Sequence, residues 1–214
     1  MVLWKGIGDR IGQFRRYVRI TEADEIARRY FVMNAFDGSL TILGIVLGTS
    51  FLRVREPRVV IGAGVGASLA MGMSGFFGTY LTERAERTRQ LKRLERAMVT
   101  QLDETVWDTA SSFVSFWAAF VDGASPALTA FVAVIPFILC HFGLFGFESA
   151  LAASLVLVFA TLVFLGAYLG HISQESIAIS GARMLLVGIL TAFVIWLLSE
   201  NGIGTAAALA SCAA

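Results

Sequence analysis

The sequence predicts an all-α membrane protein with five transmembrane helices, the second of them extended into a cytoplasmic helical segment. Three observations predict it. Hydrophobic residues make up 57% of the chain against 15% charged, with a mean hydropathy of +0.73, whereas a soluble domain of this length would carry more charge. Apolar runs at 30–52, 59–81, 126–147, 149–170 and 177–199 are each long enough to cross a bilayer as a helix. The charges fall in blocks between those runs.

Of the 17 Lys and Arg residues, seven precede the first run, three lie between the first and second, six between the second and third, and one opens the fifth. A cytoplasmic N-terminus puts 14 inside and 3 outside. The positive-inside rule therefore expects an integral, multi-pass chain with its C-terminus on the opposite side. The expected divisions are an amphipathic cytoplasmic segment 1–29, helices one and two in 30–81, a cytoplasmic helical segment 82–125, helices three to five in 126–199 and a tail 200–214.

In 1–29, charged Lys5, Asp9 and Arg10 interrupt any apolar core of a cleavable signal. Leu3, Trp4, Ile7, Ile11, Phe14 and Val18 recur at helical spacing beside Arg15, Arg16 and Arg19. This pattern suits a helix lying among lipid headgroups, or equally a frayed basic leader.

Asp37 is the lone carboxylate of the first run. At 1.5 Å per residue it lies roughly 10 Å inside the apolar stretch, where an ionised acid is expensive and ordinarily faces a bundle interior or a water-filled path. Desolvation would raise its pKa and let a divalent cation compete with a proton there. Asp37, Thr41, Gly44 and Gly48 share one helical face. In the second run Gly62, Gly66, Ala70, Ser74 and Gly78 stand four residues apart, a stripe that lets helix backbones approach closely. The two faces are expected to pack together beside an ion path, although small-residue packing by itself needs no transport.

From Thr82 to Ala110 there is neither Gly nor Pro, so the second helix is expected to continue into the cytoplasm. Glu83 with Glu86, and Glu104 with Asp108, lie one turn apart and could each offer two oxygens to a divalent cation. Interleaved Arg84, Arg87 and Arg89 make a solvated surface the commoner outcome for such pairs.

Other polar residues carry less. His141 is expected to be hydrogen-bonded or interfacial and Asp122, before Pro126, an exposed turn or helix-end residue. His171 and Glu175 fall in the short fourth turn, Arg183 is expected to reach the inner surface, and Cys140 and Cys212 are too separated to propose a disulfide or metal knuckle.

Several segments resemble the vacuolar iron transporter family. RRYFVMNAFDGSLTILGIVLG is similar to that family's first span, SGFFGTYLTERAE to the end of its second, SPALTAFVAVIPF to its third, and FLGAYLGHISQESIAISGARMLLVGILTAF to its fourth and fifth. The resemblance implies a five-span homodimer that exports ferrous iron or manganese from the cytoplasm in exchange for protons, with a metal-collecting domain after span two and ion entry between protomers. It implies no prosthetic group and no nucleic-acid partner. The family's first-span aspartate carries over to Asp37. Its second-span methionine falls on Gly75 and its glutamate on Thr79, leaving Met71, one turn before Gly75, as the soft ligand and Thr41 beside the path. Glu83 and Glu86 match the start of the metal-collecting region, with Glu95, Asp103 and Glu104 as looser candidates. Fewer sulfur ligands point to manganese as readily as to iron. The competing expectation is a non-transporting membrane scaffold that dimerises through the glycine stripe. Enzymatic catalysis is not expected, because the sequence has no nucleophile elbow, phosphate loop, redox Cys pair or ferritin-like Glu-x-x-His motif.

Overall fold

The computed structural model describes residues 23–98 and 106–200, with side chains described from 24 and, in the second stretch, from 112. Five helices occupy these residues: α1 (Ala23–Phe51), α2 (Pro57–Met98), α3 (Val106–His141), α4 (Phe147–Ile172) and α5 (Ile177–Glu200). All five are long and apolar enough to cross a membrane, and no strand occurs among the described residues. The expected amphipathic segment 1–29, before Ala23, and the tail beyond Glu200, with Cys212, lie outside the described residues, as do Asp103, Glu104 and the side chain of Asp108.

Helix boundaries follow local chemistry. Leu52 to Glu56 separate α1 from α2, and Pro57 opens α2 at a position where its missing N–H is no loss. Arg53 turns the chain with φ 56°, and Gly143, φ 79°, turns it after α3. Helix α3 begins well before the apolar run that predicted it and continues through Pro126 and Pro136. A proline within a membrane helix removes a backbone donor, yet neighbouring packing compensates.

The described helices contribute to two compact units. The larger takes α1 from Val32, α2 up to Met71, α3 from Ser125, and all of α4 and α5. Its core is Ile42, Leu43 and Val46 of α1, Val60 of α2, Ala130, Ala133, Val134 and Phe137 of α3, and Ala150, Val158 and Leu162 of α4. Small residues set the helix separations. Gly64 faces Ile42 and Val134, each with an atom 2.9 Å from where a Cβ would stand. A Cβ on Gly38 would lie 2.7 Å from the Cα and 2.8 Å from the carbonyl oxygen of Pro126. Helices α4 and α5 meet through Gly166, whose Cβ position is 2.6 Å from the Ser180 carbonyl oxygen, and through Gly170 against Ser180. Ser154 donates across to the Ala133 carbonyl at 2.7 Å. Many other hydroxyls turn back on their own helix: Ser39 to Ala35, Thr49 to Ile45, Ser68 to Gly64, Thr161 to Leu157 and Thr191 to Val187, each at 2.6–2.9 Å.

The smaller unit contains α1 up to Phe31, α2 from Gly72 and α3 up to Ala124. Val114, Ala118 and Ala119 are buried, and Phe76 meets Phe116 edge to face with centroids 5.8 Å apart. Helices α2 and α3 approach closely at Gly72 and Gly123. A Cβ on Gly123 would come within 2.6 Å of the Gly72 carbonyl oxygen.

Candidate functional site

In the larger unit, the α1 face opposite its buried stripe carries Asp37, Thr41, Gly44 and Gly48. Ala35, Ser39, Ile42 and Val46 point into the unit, and a 100° advance per residue turns Asp37 away from them. The Asp37 carboxylate is consequently exposed on the single chain, where the sequence expectation had an acid facing a bundle interior or a water-filled path. It makes no hydrogen bond or ion pair among the described residues. One turn further, Thr41 Oγ1 stands 3.6 Å from Met71 Sδ and donates to it. The fold thus joins two of the predicted site residues, a hydroxyl and a thioether, on the margin of the face that bears the acid.

The glycine stripe of α2 does not pack against α1. No atom lies within 4 Å of a Cβ built on Gly62 or Gly66, nor on Gly48 of α1, while Gly44 meets only the tip of Ile195 at 4.0 Å. The α1–α2 contact runs instead through Gly64, two residues out of phase. Ser74 and Gly78, further along α2, are likewise exposed.

In the smaller unit, Glu83 is engaged. Its Oε1 accepts from the Tyr30 hydroxyl at 2.9 Å, and Oε2 lies 3.8 Å from Arg87, with the two side chains only 14% and 19% exposed. Glu86 is more open, paired with Arg89 at 3.8 Å. Glu95 is half-buried and has polar company of its own. Among the described residues no three His, Cys, Asp or Glu side chains converge as a metal cluster.

Asp122 departs most from expectation. It is 4% exposed and lies within α3 rather than at a helix end. Its Oδ2 accepts from Thr79 Oγ1 at 2.5 Å, and a Cβ on Gly75 would stand 3.0 Å from the same oxygen. Sequence reasoning read Pro126 as a boundary and missed the apolar run FVSFWAAFV before Asp122, which marks continuing helix. Tyr30 was missed because its partner is 53 residues away. At the remaining positions, Arg183 pairs with Glu175 at 3.0 Å, both exposed; His171 is exposed, as is His141.

Two comparisons bear on this arrangement. An uncharacterized protein of Methanocaldococcus jannaschii is 28% identical over 179 residues, covering 82% of this chain and 90% of the relative. Residues 28–108, the stretch that holds Asp37, Thr41, Met71 and Glu83, match the model of the VIT family.

Proposed function

We propose that the protein carries a divalent metal, iron(II) or manganese(II), out of the cytoplasm in exchange for protons, and does so as a homodimer. The observation that carries this reading is Asp37: a carboxylate on an exposed face of an otherwise uncharged apolar helix, beside the Thr41–Met71 contact. Facing lipid, that acid would be among the most expensive groups in the molecule. A second copy seated on the face would remove it from lipid and bring two Asp37 carboxylates together. Gly48, Gly62 and Gly66 leave room for close backbone approach on α1 and α2. Two acids with Met71 sulfur and Thr41 oxygen nearby offer a mixed hard and soft site suited to iron(II) or manganese(II).

Exchange follows from competition. An arriving divalent ion displaces protons from the paired carboxyls and leaves as protons return. Helix α2 has 42 residues, about 63 Å or twice the hydrocarbon thickness. Its polar end would stand in the cytoplasm, where Glu86, Glu95, Asp103 and Glu104 could gather metal. Glu83, held by Tyr30 and Arg87, would join them only by exchanging these partners.

The test is manganese(II) and iron(II) flux into proteoliposomes with an internal pH dye, for wild type and Asp37→Asn. Metal-dependent proton movement abolished in Asp37→Asn supports the reading. Unchanged flux and coupling in that variant would refute it. The open glycine face also suits a dimeric scaffold that transports nothing, which predicts no flux from well-folded wild type.

A further inference from the structure

We propose that the end of α1 and the start of α4 hold the headgroup of one anionic phospholipid, the Arg53 guanidinium and the Ser50 hydroxyl receiving its phosphate. The inference is independent of what the protein carries.

The chain leaves α1 by a regular turn built on an unusual residue. Val54 N–H donates to the Thr49 carbonyl and Arg53 N–H to the Ser50 carbonyl, both at 3.0 Å, the paired bonds of a Schellman helix end. Its left-handed position, here Arg53 with φ 56°, is usually glycine because a Cβ is strained there. Glycine would close the helix equally well, so what arginine adds is its cation. That guanidinium makes no hydrogen bond or ion pair among the described residues. Attraction to the last carbonyls of α1 would account for a base at this place, but not for the cavity that it lines.

The cavity has a volume of about 510 Å³ and is lined by Ser50, Arg53, Val54, Arg55, Phe147 and Glu148, all of the larger unit. Small-molecule sites span roughly 300–1,000 Å³. Arg55 and Glu148 pair at 3.0 Å and offset one another, which leaves one positive charge, Arg53, for the single negative charge of a phosphodiester. A guanidinium matches two phosphate oxygens with its fork of donors. The apolar helix α1 ends at Phe51 and α4 begins at Phe147, so the cavity lies where hydrocarbon gives way to headgroups. A phospholipid presents its phosphate at that depth while its chains stay in the hydrocarbon. A headgroup ammonium would need Glu148, which Arg55 already engages, so a lipid without one, such as phosphatidylglycerol, fits better. On the expected topology this loop is on the side poor in bases, so Arg53 does not serve to set orientation.

The experiment follows thermal unfolding of the full chain by circular dichroism in detergent micelles carrying phosphatidylglycerol or, in parallel, phosphatidylcholine. At about ten times the half-saturating amount, phosphatidylglycerol should raise the wild-type midpoint by about 3–6 °C over phosphatidylcholine. Arg53→Gly suits the left-handed turn and should lose that shift. Arg58→Gln removes a base from the same stretch of chain outside the cavity lining and should keep it. The proposal is overturned if Arg53→Gly retains the full shift or if Arg58→Gln loses as much, which would mark diffuse charge attraction. It is equally overturned if phosphatidylcholine stabilises as well as phosphatidylglycerol, or if soluble glycerol phosphate alone produces the shift. Should Arg53→Gly not fold, Arg53→Asn, which also tolerates the turn, decides: a lost shift supports the site and a retained one overturns it.

Discussion

Replacing Gly38 by Ala should destabilise the fold although it adds one methyl group and improves helix propensity. The Cβ would stand 2.6 Å from Thr129 Oγ1, 2.7 Å from Pro126 Cα and 2.8 Å from the Pro126 carbonyl oxygen. Ordinary contact begins at about 3.4 Å, so α1 and α3 must part by roughly 0.6–0.8 Å, and two of the three obstacles are backbone that cannot rotate away. Overpacking of this kind costs about 1–3 kcal/mol, against a propensity gain of about 1 kcal/mol for Ala over Gly. The expected net loss is up to about 2 kcal/mol and centred near about 1 kcal/mol, or roughly fivefold in the ratio of unfolded to folded protein. Gly62→Ala is the matched control, because nothing lies within 4 Å of its Cβ position in the single chain. The assay is reversible unfolding in mixed micelles followed by circular dichroism. A Gly38→Ala protein as stable as wild type would refute the steric argument. In that case the glycine after Asp37 would need a functional explanation rather than a packing one.

Asp37→Asn should not destabilise the protein, since the carboxylate has no partner among the described residues of one chain and the amide costs less away from water, and should still abolish metal-dependent proton movement; the same unfolding assay and the dye assay check the two halves. Met71→Leu should slow iron(II) more than manganese(II), because it removes sulfur and keeps volume; equal slowing of both ions in competition flux would argue against a ligand role. Tyr30→Phe should destabilise the protein by about 1 kcal/mol through loss of the 2.9 Å bond to Glu83, measured by unfolding. Gly66→Leu should shift the protein toward monomers in lipid-dilution fluorescence transfer without lowering the helicity of the single chain, because the space is open there.

The five helices were legible because each apolar run exceeds the length a bilayer demands, and nearly all of the chain's charges, Asp37 and Arg183 apart, sit outside those runs. Which face of α1 turns inward was not legible. Lipid tails are as apolar as a protein core, so apolarity does not choose the inward stripe, and the cost of Asp37 is met by either the chain's own interior or a second chain seated on that face. The structure buries Ala35, Ser39, Ile42 and Val46 and exposes the acid. Similarly, the regular spacing of Gly62, Gly66, Ala70, Ser74 and Gly78 drew attention from Gly64, which makes the actual contact with Ile42 and Val134. Asp122 was misread because Pro126 ends helices in water more readily than in a membrane protein. Met71 was found by its spacing from a family position, and Thr41 by sharing the face of Asp37; their meeting at 3.6 Å required the packing of two helices.

The hydroxyls that fold back onto their own helices bear on how such a molecule can move. Ser39, Ser68, Thr161 and Thr191 satisfy themselves within four residues and so demand no particular register from a neighbour. Contacts made by Leu, Val and Ile have no preferred direction along a helix axis, and a small slip between such surfaces exchanges one set of dispersion contacts for another. A bond such as Ser154 to Ala133 resists that slip, since displacing it strands a polar group away from water. Such cross-helix bonds therefore act as pins and the apolar seams as bearings, and mechanical compliance in this protein should follow the map of its hydroxyl partners.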